Sequence, residues 1–536
     1  MQRRSFLLWG GASALVGGGS IAAYRHWHEI DPAVHAPGRL EGHFLRDRKA
    51  LPAPSRVIEA DIAIFGSGIA GLTAAWKLAR EGARDAIMID GPEANGNAAG
   101  GAYGDLAYPT GAHYLPIPST ECVHVREILA DLGVLQGDHL AEKPQYDERF
   151  LLHAPAERLL YEGRWQEGLL PHEGVADAEL AEHQRFLAQM DQLRTRRGAD
   201  GRRVFVFPAA LASRDPAWLA LDRISFAQWL DQQGYRAPTL RWYADYCCRD
   251  DYGALASEVS AWAGLQYFCG RGGLASNSEA GAWLTWPGGL APLAEGLAAK
   301  SGIRRESGTA VSLEAKGAGV EALCFRIVDG QPQTYLVKTR EAICAMPLFV
   351  AARVVKGIGS MGFDPAQHLP PYRPWLVSNF LLNRFPQEKA EAPLSWDNVV
   401  YGGEGLGYVV STHQDLRQMP PAKTVFTSYV ALAGQDAAAA RRWMDQAGGD
   451  ELLELASRDL AVAYGGNFRY AVERVDITLR AHAMAAPAPG FLGNPGLAAL
   501  RAQRGPILFA HADLSSYSVF EEASWWGYQA ALRALG

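Results

Sequence analysis

Cysteine is rare in this chain: six occur among 536 residues, at positions 122, 247, 248, 269, 324 and 344. None forms a CxxC pair of the kind that holds zinc, and none begins a CxxCH haem attachment site. No metal-ligand spacing is visible elsewhere, so neither a metal nor a haem is expected. The adjacent Cys247 and Cys248 would close a strained ring if oxidised, and two buried thiols are expected there. Basic charge is also short. The formal net charge is −7, and Lys and Arg are not gathered into a stripe. A nucleic acid partner needs such a stripe to neutralise its phosphates, so that class is excluded. Beyond the first 23 residues the chain has no very apolar surface segment.

What the chain does have is length and apolar content. With 48% hydrophobic residues it can bury a large core, and two intimately joined domains are expected. Fifteen Trp and twenty Tyr can wall a ligand cavity or fill that core. Residues 57–90 are the most informative stretch. VIEADIAIF reads as a buried strand and runs into Gly66-Ser67-Gly68-Ile69-Ala70-Gly71; the amphipathic LTAAWKLAREG follows, then AIMI ending on Asp90. Gly66 allows the tight strand-to-helix turn, Gly68 lets a pyrophosphate approach the backbone, and Gly71 lets helix pack on strand. The N–H groups from Ile69 and Ala70 onward, at the positive end of the helix, would face the phosphates. Asp90 follows Gly71 by 19 residues, where a carboxylate can bind ribose hydroxyls. The unit predicts a dinucleotide site.

Gln2-Arg3-Arg4-Ser5-Phe6-Leu7-Leu8 resembles the twin-arginine export signal, and an uncharged Gly/Ala-rich run follows it as far as Ala23. Its glycines make a poor membrane anchor, though its length could just span a bilayer if it were retained. Ser20 and Ala22 offer a cleavage site. The resemblance implies the twin-arginine export machinery as a partner and a periplasmic location. That route carries folded proteins, which suits a chain that must trap a nucleotide first. Residues 24–56 read as a loose lead-in.

Four separated segments, the glycine turn among them, together resemble the flavin-containing amine oxidase and phytoene desaturase superfamily. The first is the glycine turn with Ala75, Gly82, Asp90 and the pair Gly100-Gly101. The second is LTWPGGL at 284–290, carrying Trp286, Gly288 and Gly289. The third runs from GTAVSLE, with Val311, to REAICAMPLFV at 340–350. The fourth is ILFAHAD at 507–513 followed by FEEASWWGYQAA, with Asp513, Glu522 and Ala523. The resemblance implies FAD rather than NAD, held by these residues and by Gly111 and Ala112 beside the isoalloxazine. It implies an α/β fold in which a discontinuous Rossmann-type FAD-binding domain (57–120, 284–350, 490–536) carries an inserted α+β substrate domain (121–283, 351–489). Three departures stand out. The loop GPEANGNAAG is unusual and Ala102 replaces a common Arg, AHAD replaces the compact AGD, and the strand PWLVSNFLL at 374–382 has no lysine to hold water at flavin N5. Asn379 or Ser378 would have to substitute.

The resemblance implies hydride transfer from substrate to flavin N5, with the protein placing the donor C–H. An ammonium must be recognised at entry and the neutral amine favoured at the ring, work for carboxylates and aromatic faces. Asp250, Asp251 and Tyr252, then Trp396 and Trp525, are the substrate-binding candidates. His113, Asn379 and Tyr517 are the catalytic candidates, with His511 and His413 as further proton-relay positions that a structural role would explain equally well. The leading expectation is an exported amine oxidase or dehydrogenase acting on a polyamine such as spermidine, passing electrons to a quinone or redox protein. A desaturase or isomerase of a lipophilic polyene or prenyl compound is the alternative, and a non-catalytic flavin-binding envelope protein the third.

Overall fold

The computed structural model describes residue 27 and residues 29–47, 51–389, 391–416, 419 and 421–536. The twin-arginine segment lies outside the described residues.

Five parallel strands form the heart of the first sheet, in the order Arg304–Glu306, Ala86–Ile89, Val57–Phe65, Gln331–Cys344 and Ile507–Phe509. Parallel strands are covered on both faces, which explains why VIEADIAIF ends as a continuous apolar run. Ile62 and Ile64 point to one core and Ala63 and Phe65 to another. Helices Ile69–Arg80, Ala291–Ser301 and Phe520–Ala534 cover the first face. Past the first half of Gln331–Cys344 the same sheet continues as an antiparallel meander with Gly319–Val328 and Thr309–Lys316, whose apolar residues join Ala63 and Phe65 in the second core. Two glycines set the closest approaches. A Cβ on Gly71 would lie 1.9 Å from Gly66 O, and one on Gly527 would lie 2.1 Å from Ala70 O. The closing helix therefore rests on the backbone of the first helix, at its N-terminus.

The second sheet has eight strands, centred on Val472–Ala485, Tyr372–Leu382 and Thr424–Ala431, all mutually antiparallel where they pair. Helices Ala437–Gln446 and Gly449–Ala456 help to cover one face; Pro238–Tyr252 packs against the other. All six cysteines are free and buried, Cys247 and Cys248 included. Among the described residues no helix is long and apolar enough to cross a membrane, and no cluster could hold a metal ion.

The lead-in needs correction. Ala33–His35 adds in parallel to the second sheet, beside Asp476–Thr478, and Arg39–Asp47 is a helix. Trp27 and Ile30 are buried in the core beneath that sheet. These anchors are apolar and far apart in sequence from their partners, so the polar composition of 24–56 hid them.

Candidate functional site

A cavity of about 740 Å³ runs from the glycine turn to the start of the closing helix, within the range that small-molecule cofactors occupy. Gly66, Gly68, Ile69 and Ala70 line one end. Gly66 has φ +114°, and its Cβ would meet Ala345 O at 2.8 Å. A Cβ on Gly68 would meet nothing within 4 Å, so this residue faces open space of the kind a phosphate fills. The helix behind it starts without a capping side chain and without an acid in its first turn. Its free N–H groups and dipole suit a diphosphate. Asp90 lines the cavity beyond, fixed by Arg305 Nε at 2.7 Å. These residues fit a dinucleotide.

Asp513 lines the same cavity and is fully buried. Its Oδ2 accepts from the Tyr372 hydroxyl at 2.5 Å and the Leu348 N–H at 2.9 Å, and the His511 ring lies 3.2 Å from Oδ1. Burial opposes its charge, but His511, Tyr372 and Leu348 together hold its pKa below the ordinary value. AHAD thus places His511 as a partner of the acid rather than as an isolated relay. Ala523 lines the far end of the cavity. Glu522, one residue earlier, turns away and accepts from Ala209 N at 2.5 Å.

Sequence reasoning missed Arg480. It lines the cavity and is 8% exposed. Both its terminal nitrogens reach Glu93 at 2.9 Å, and its Nε donates to Thr110 O at 2.8 Å. The unusual 91–100 loop is therefore held by a guanidinium from the second sheet. Ala112 N donates to Asn97 O at 2.8 Å, closing the same loop onto Ala112, which lines the cavity. Gly111 packs too tightly against Asn97 O to accept a Cβ, at 2.2 Å. The LTWPGGL segment clasps this strand from the other side. Leu290 N donates to Ala112 O at 3.0 Å, Thr285 Oγ1 donates to His113 O at 2.8 Å, and Gly289 approaches Ala112 O. Trp286, Gly288 and Gly289, like Gly100, Gly101, Gly71 and Gly111, support the cavity without lining it.

Next to Ala112 lies a cluster of rings and acids. The His113 ring sits 4.6 Å from Tyr429, 5.0 Å from Tyr114 and 5.3 Å from Trp396. Tyr114 stacks on Trp283 and donates to Asp250 Oδ2 at 3.3 Å. Asp250, Asp397 and Glu157 are half-buried acids of this cluster, and Asp397 lies close enough to the other two to feel their charge. Burial and the charge of Asp251 push Asp250 up to about 7. Burial pushes Glu157 up to about 7 as well. Asp397 is raised by burial, then by Asp250 and Glu157. Burial also lowers His113 to about 3, so its ring is neutral. Asp251, a predicted substrate contact, pairs instead with buried Arg271 at 2.9 Å, and Arg271 reaches Glu521 at 3.6 Å.

Several expected residues lie elsewhere. Tyr517 is fully buried among Phe207, Phe491 and Tyr252, away from the cavity. Tyr252 donates to Ala263 O at 2.9 Å within the same core. Trp525 packs edge-on against His124 at 5.3 Å. Asn379 is fully buried in its strand and accepts from Thr427 Oγ1 at 2.7 Å. His413 bonds to His153 O at 2.9 Å, remote from the cavity. Val311 sits at a register shift between Ala310 and Ser312 and turns into a neighbouring cleft; Thr309 and Ala310 line the cavity in its place.

The family profile of an NAD(P)-binding Rossmann-like domain matches residues 64–132. No curated protein matches the chain. Among solved structures, a putrescine oxidase triple mutant made in a redesign of cofactor binding is similar, with TM-score 0.63 and 16% identity over 89% of this chain and 98% of that one. Cyclohexylamine oxidase from Brevibacterium oxydans has TM-score 0.60 and 18% identity, over 89% and 99%. A fatty acid isomerase from P. acnes has TM-score 0.57 and 15% identity, over 88% and 98%. The likeness is one of fold. The chain has the α/β architecture, with its Rossmann-type sheet assembled from separate stretches, that the amine oxidase resemblance implied.

Proposed function

We propose that the protein is an exported FAD-dependent oxidoreductase that oxidises an amine, with a polyamine such as spermidine as its substrate. The observation that carries the reading is the cluster of acids and aromatic rings next to Ala112. The nearest cations pair with other acids, Arg271 with Asp251 and Arg249 with Asp245, and their charge only partly offsets the burial of Asp250. Burial raises the pKa of all three acids, and Asp250 and Glu157 raise that of Asp397 further; a multiply charged cation entering among them would offset both penalties. The rings of Trp283, Trp396, Tyr114 and Tyr429 supply the faces a cation favours.

Bound FAD would supply the hydride acceptor. The chain's own part is to cradle the diphosphate at Gly66–Ala70, hold the ribose at Asp90, and set Asp513 against the flavin side chain. His113, neutral at working pH, can take part only as a hydrogen-bonding ring or a proton acceptor of low basicity. Export is supported by the twin-arginine resemblance of residues 2–8. The absence of lysine between Pro374 and Leu382 supports a quinone or redox protein, rather than oxygen, as electron acceptor.

Anaerobic titration of the purified, flavin-loaded chain tests the reading. Spermidine and diamines should bleach the absorbance near 450 nm, whereas prenyl lipids and fatty acids should not. Bleaching by lipids alone would move the assignment to a desaturase or isomerase, and silence throughout to a flavin-binding envelope protein. Rapid reoxidation of the bleached protein by air would sink the quinone reading.

A further inference from the structure

We propose that residues 33–46 form a cover over the adenosine half of the cofactor cavity and hold the bound nucleotide in place. The inference rests on the dinucleotide reading above. Pro37, Gly38, Glu41, Gly42 and Leu45 line the same cavity as the glycine turn. Gly38, with φ +74°, meets Pro92: a Cβ there would lie 3.1 Å from Pro92 Cγ. Pro92 stands two residues beyond Asp90, the acid of the adenosine ribose, so this contact locates the cover at that end.

The cover is tied down at several points. Ala33–His35 pairs with Asp476–Thr478, and Arg39 Nη2 meets Asp445 Oδ1 at 2.7 Å. Pro32 packs on Gly449, where a Cβ would come within 3.2 Å of its Cγ. The Phe44 ring lies 5.3 Å from Phe325. Yet the Arg39–Asp47 helix buries none of its residues completely. A nine-residue helix is marginal alone and needs packing on one face. The cavity lies beneath that face, so a nucleotide filling it completes the packing. Cover and cofactor thus stabilise each other, and release of one requires movement of the other.

A reversible tether tests this. The Cβ atoms of Gly38→Cys and Pro92→Cys would be 3.7 Å apart, the separation of a disulfide. The native cysteines are buried, so the new pair is the one that oxidised glutathione reaches. In the full-length double variant loaded with FAD, the bridged form should release flavin at least tenfold more slowly than the reduced form, followed by flavin fluorescence after dilution. Phe44→Asp, which weakens the outer anchor, should release it several-fold faster than wild type. Equal release from bridged and reduced forms, each carrying one FAD per chain, would overturn the cover while leaving the flavin reading intact. A wild-type chain that takes up no FAD would overturn both.

Discussion

Tyr372 donates its hydroxyl to Asp513 across 2.5 Å, tying the first residue of a central strand of the second sheet to the acid that closes the cofactor cavity. The two residues are 141 positions apart, and both line the cavity. The bond makes the inserted sheet part of the cofactor site, so the two domains cannot separate without disturbing Asp513.

Tyr372→Phe should therefore cost about 1.5–3 kcal/mol, the range for a hydrogen bond to a charged group. The pH dependence gives a second check. Asp513 has a folded pKa below its ordinary 3.8, so its ionised form contributes stability that is complete above 3.8 and is lost as pH falls through the lower folded value. The deficit of the variant should be constant from pH 5 to 8 and shrink below about 4, measured by urea unfolding. A deficit that is the same at pH 3 and pH 7 would mean that Tyr372 acts by packing alone.

Much of the nucleotide end was legible because it is local. The turn, helix and Asp90 fall within one short unit whose glycines are demanded by backbone contacts of 1.9 and 2.8 Å. The rest depends on pairs that no local pattern records. Arg480 meets Glu93 across 387 positions. Asn379 was misplaced because Tyr372–Leu382 is buried along almost its whole length, and a strand covered on both faces gives no alternation from which to choose a side. Val311 was lost to a single register shift. Tyr517 and Trp525 lie close in sequence to the cavity-lining Phe520 and Ala523, but one turns inward to Phe207 and the other to His124.

On the proposed amine-oxidising reading, Asp250 should govern how spermidine binding depends on pH. With its pKa pushed up to about 7, it is protonated below that value. Ionising it there opposes folding, so its contribution to stability is greatest below 3.8 and declines as pH rises towards 7. A bound polycation favours the carboxylate and should expel its proton, so spermidine affinity should rise between pH 6 and 8. Asp250→Asn should weaken binding about tenfold at pH 8, one pKa unit's worth of interaction. It should also reduce the protons released, counted by calorimetry in two buffers of different ionisation heat. An unchanged proton count would remove Asp250 from the substrate site.

Arg271 stands between Asp251 and Glu521, all three side chains largely buried. Removing the cation leaves two buried acids without compensation, at a cost of about 3–5 kcal/mol. Arg271→Met should show that loss in denaturant midpoint. Glu521 precedes the cavity wall at Ala523 by two residues and follows Phe520 directly, so flavin affinity should fall with it. If stability drops but FAD binds as in wild type, the ion cluster supports the core without positioning the closing helix.

Gly527 and Gly68 separate two reasons for a glycine near the cofactor. Neither reason requires the other. Gly68→Ala places its methyl in open space, with nothing within 4 Å, where the diphosphate is expected. The apoprotein should fold with near-normal stability, and FAD affinity should fall by tenfold or more. Gly527→Ala instead drives a methyl to 2.1 Å from Ala70 O, and backbone on both sides leaves no flexible atom to yield. The closing helix must shift off the first helix, at a cost of about 1–3 kcal/mol or more for overpacking, and the N–H groups at Ile69 and Ala70 shift with it. Gly527→Ala should therefore lose both thermal stability in the apo form and flavin binding, although it lies far outside the glycine turn. Melting curves of both apoproteins, paired with FAD titrations, distinguish the cases. A Gly527→Ala chain that melts and binds like wild type would show that the two helices are not in the backbone contact described.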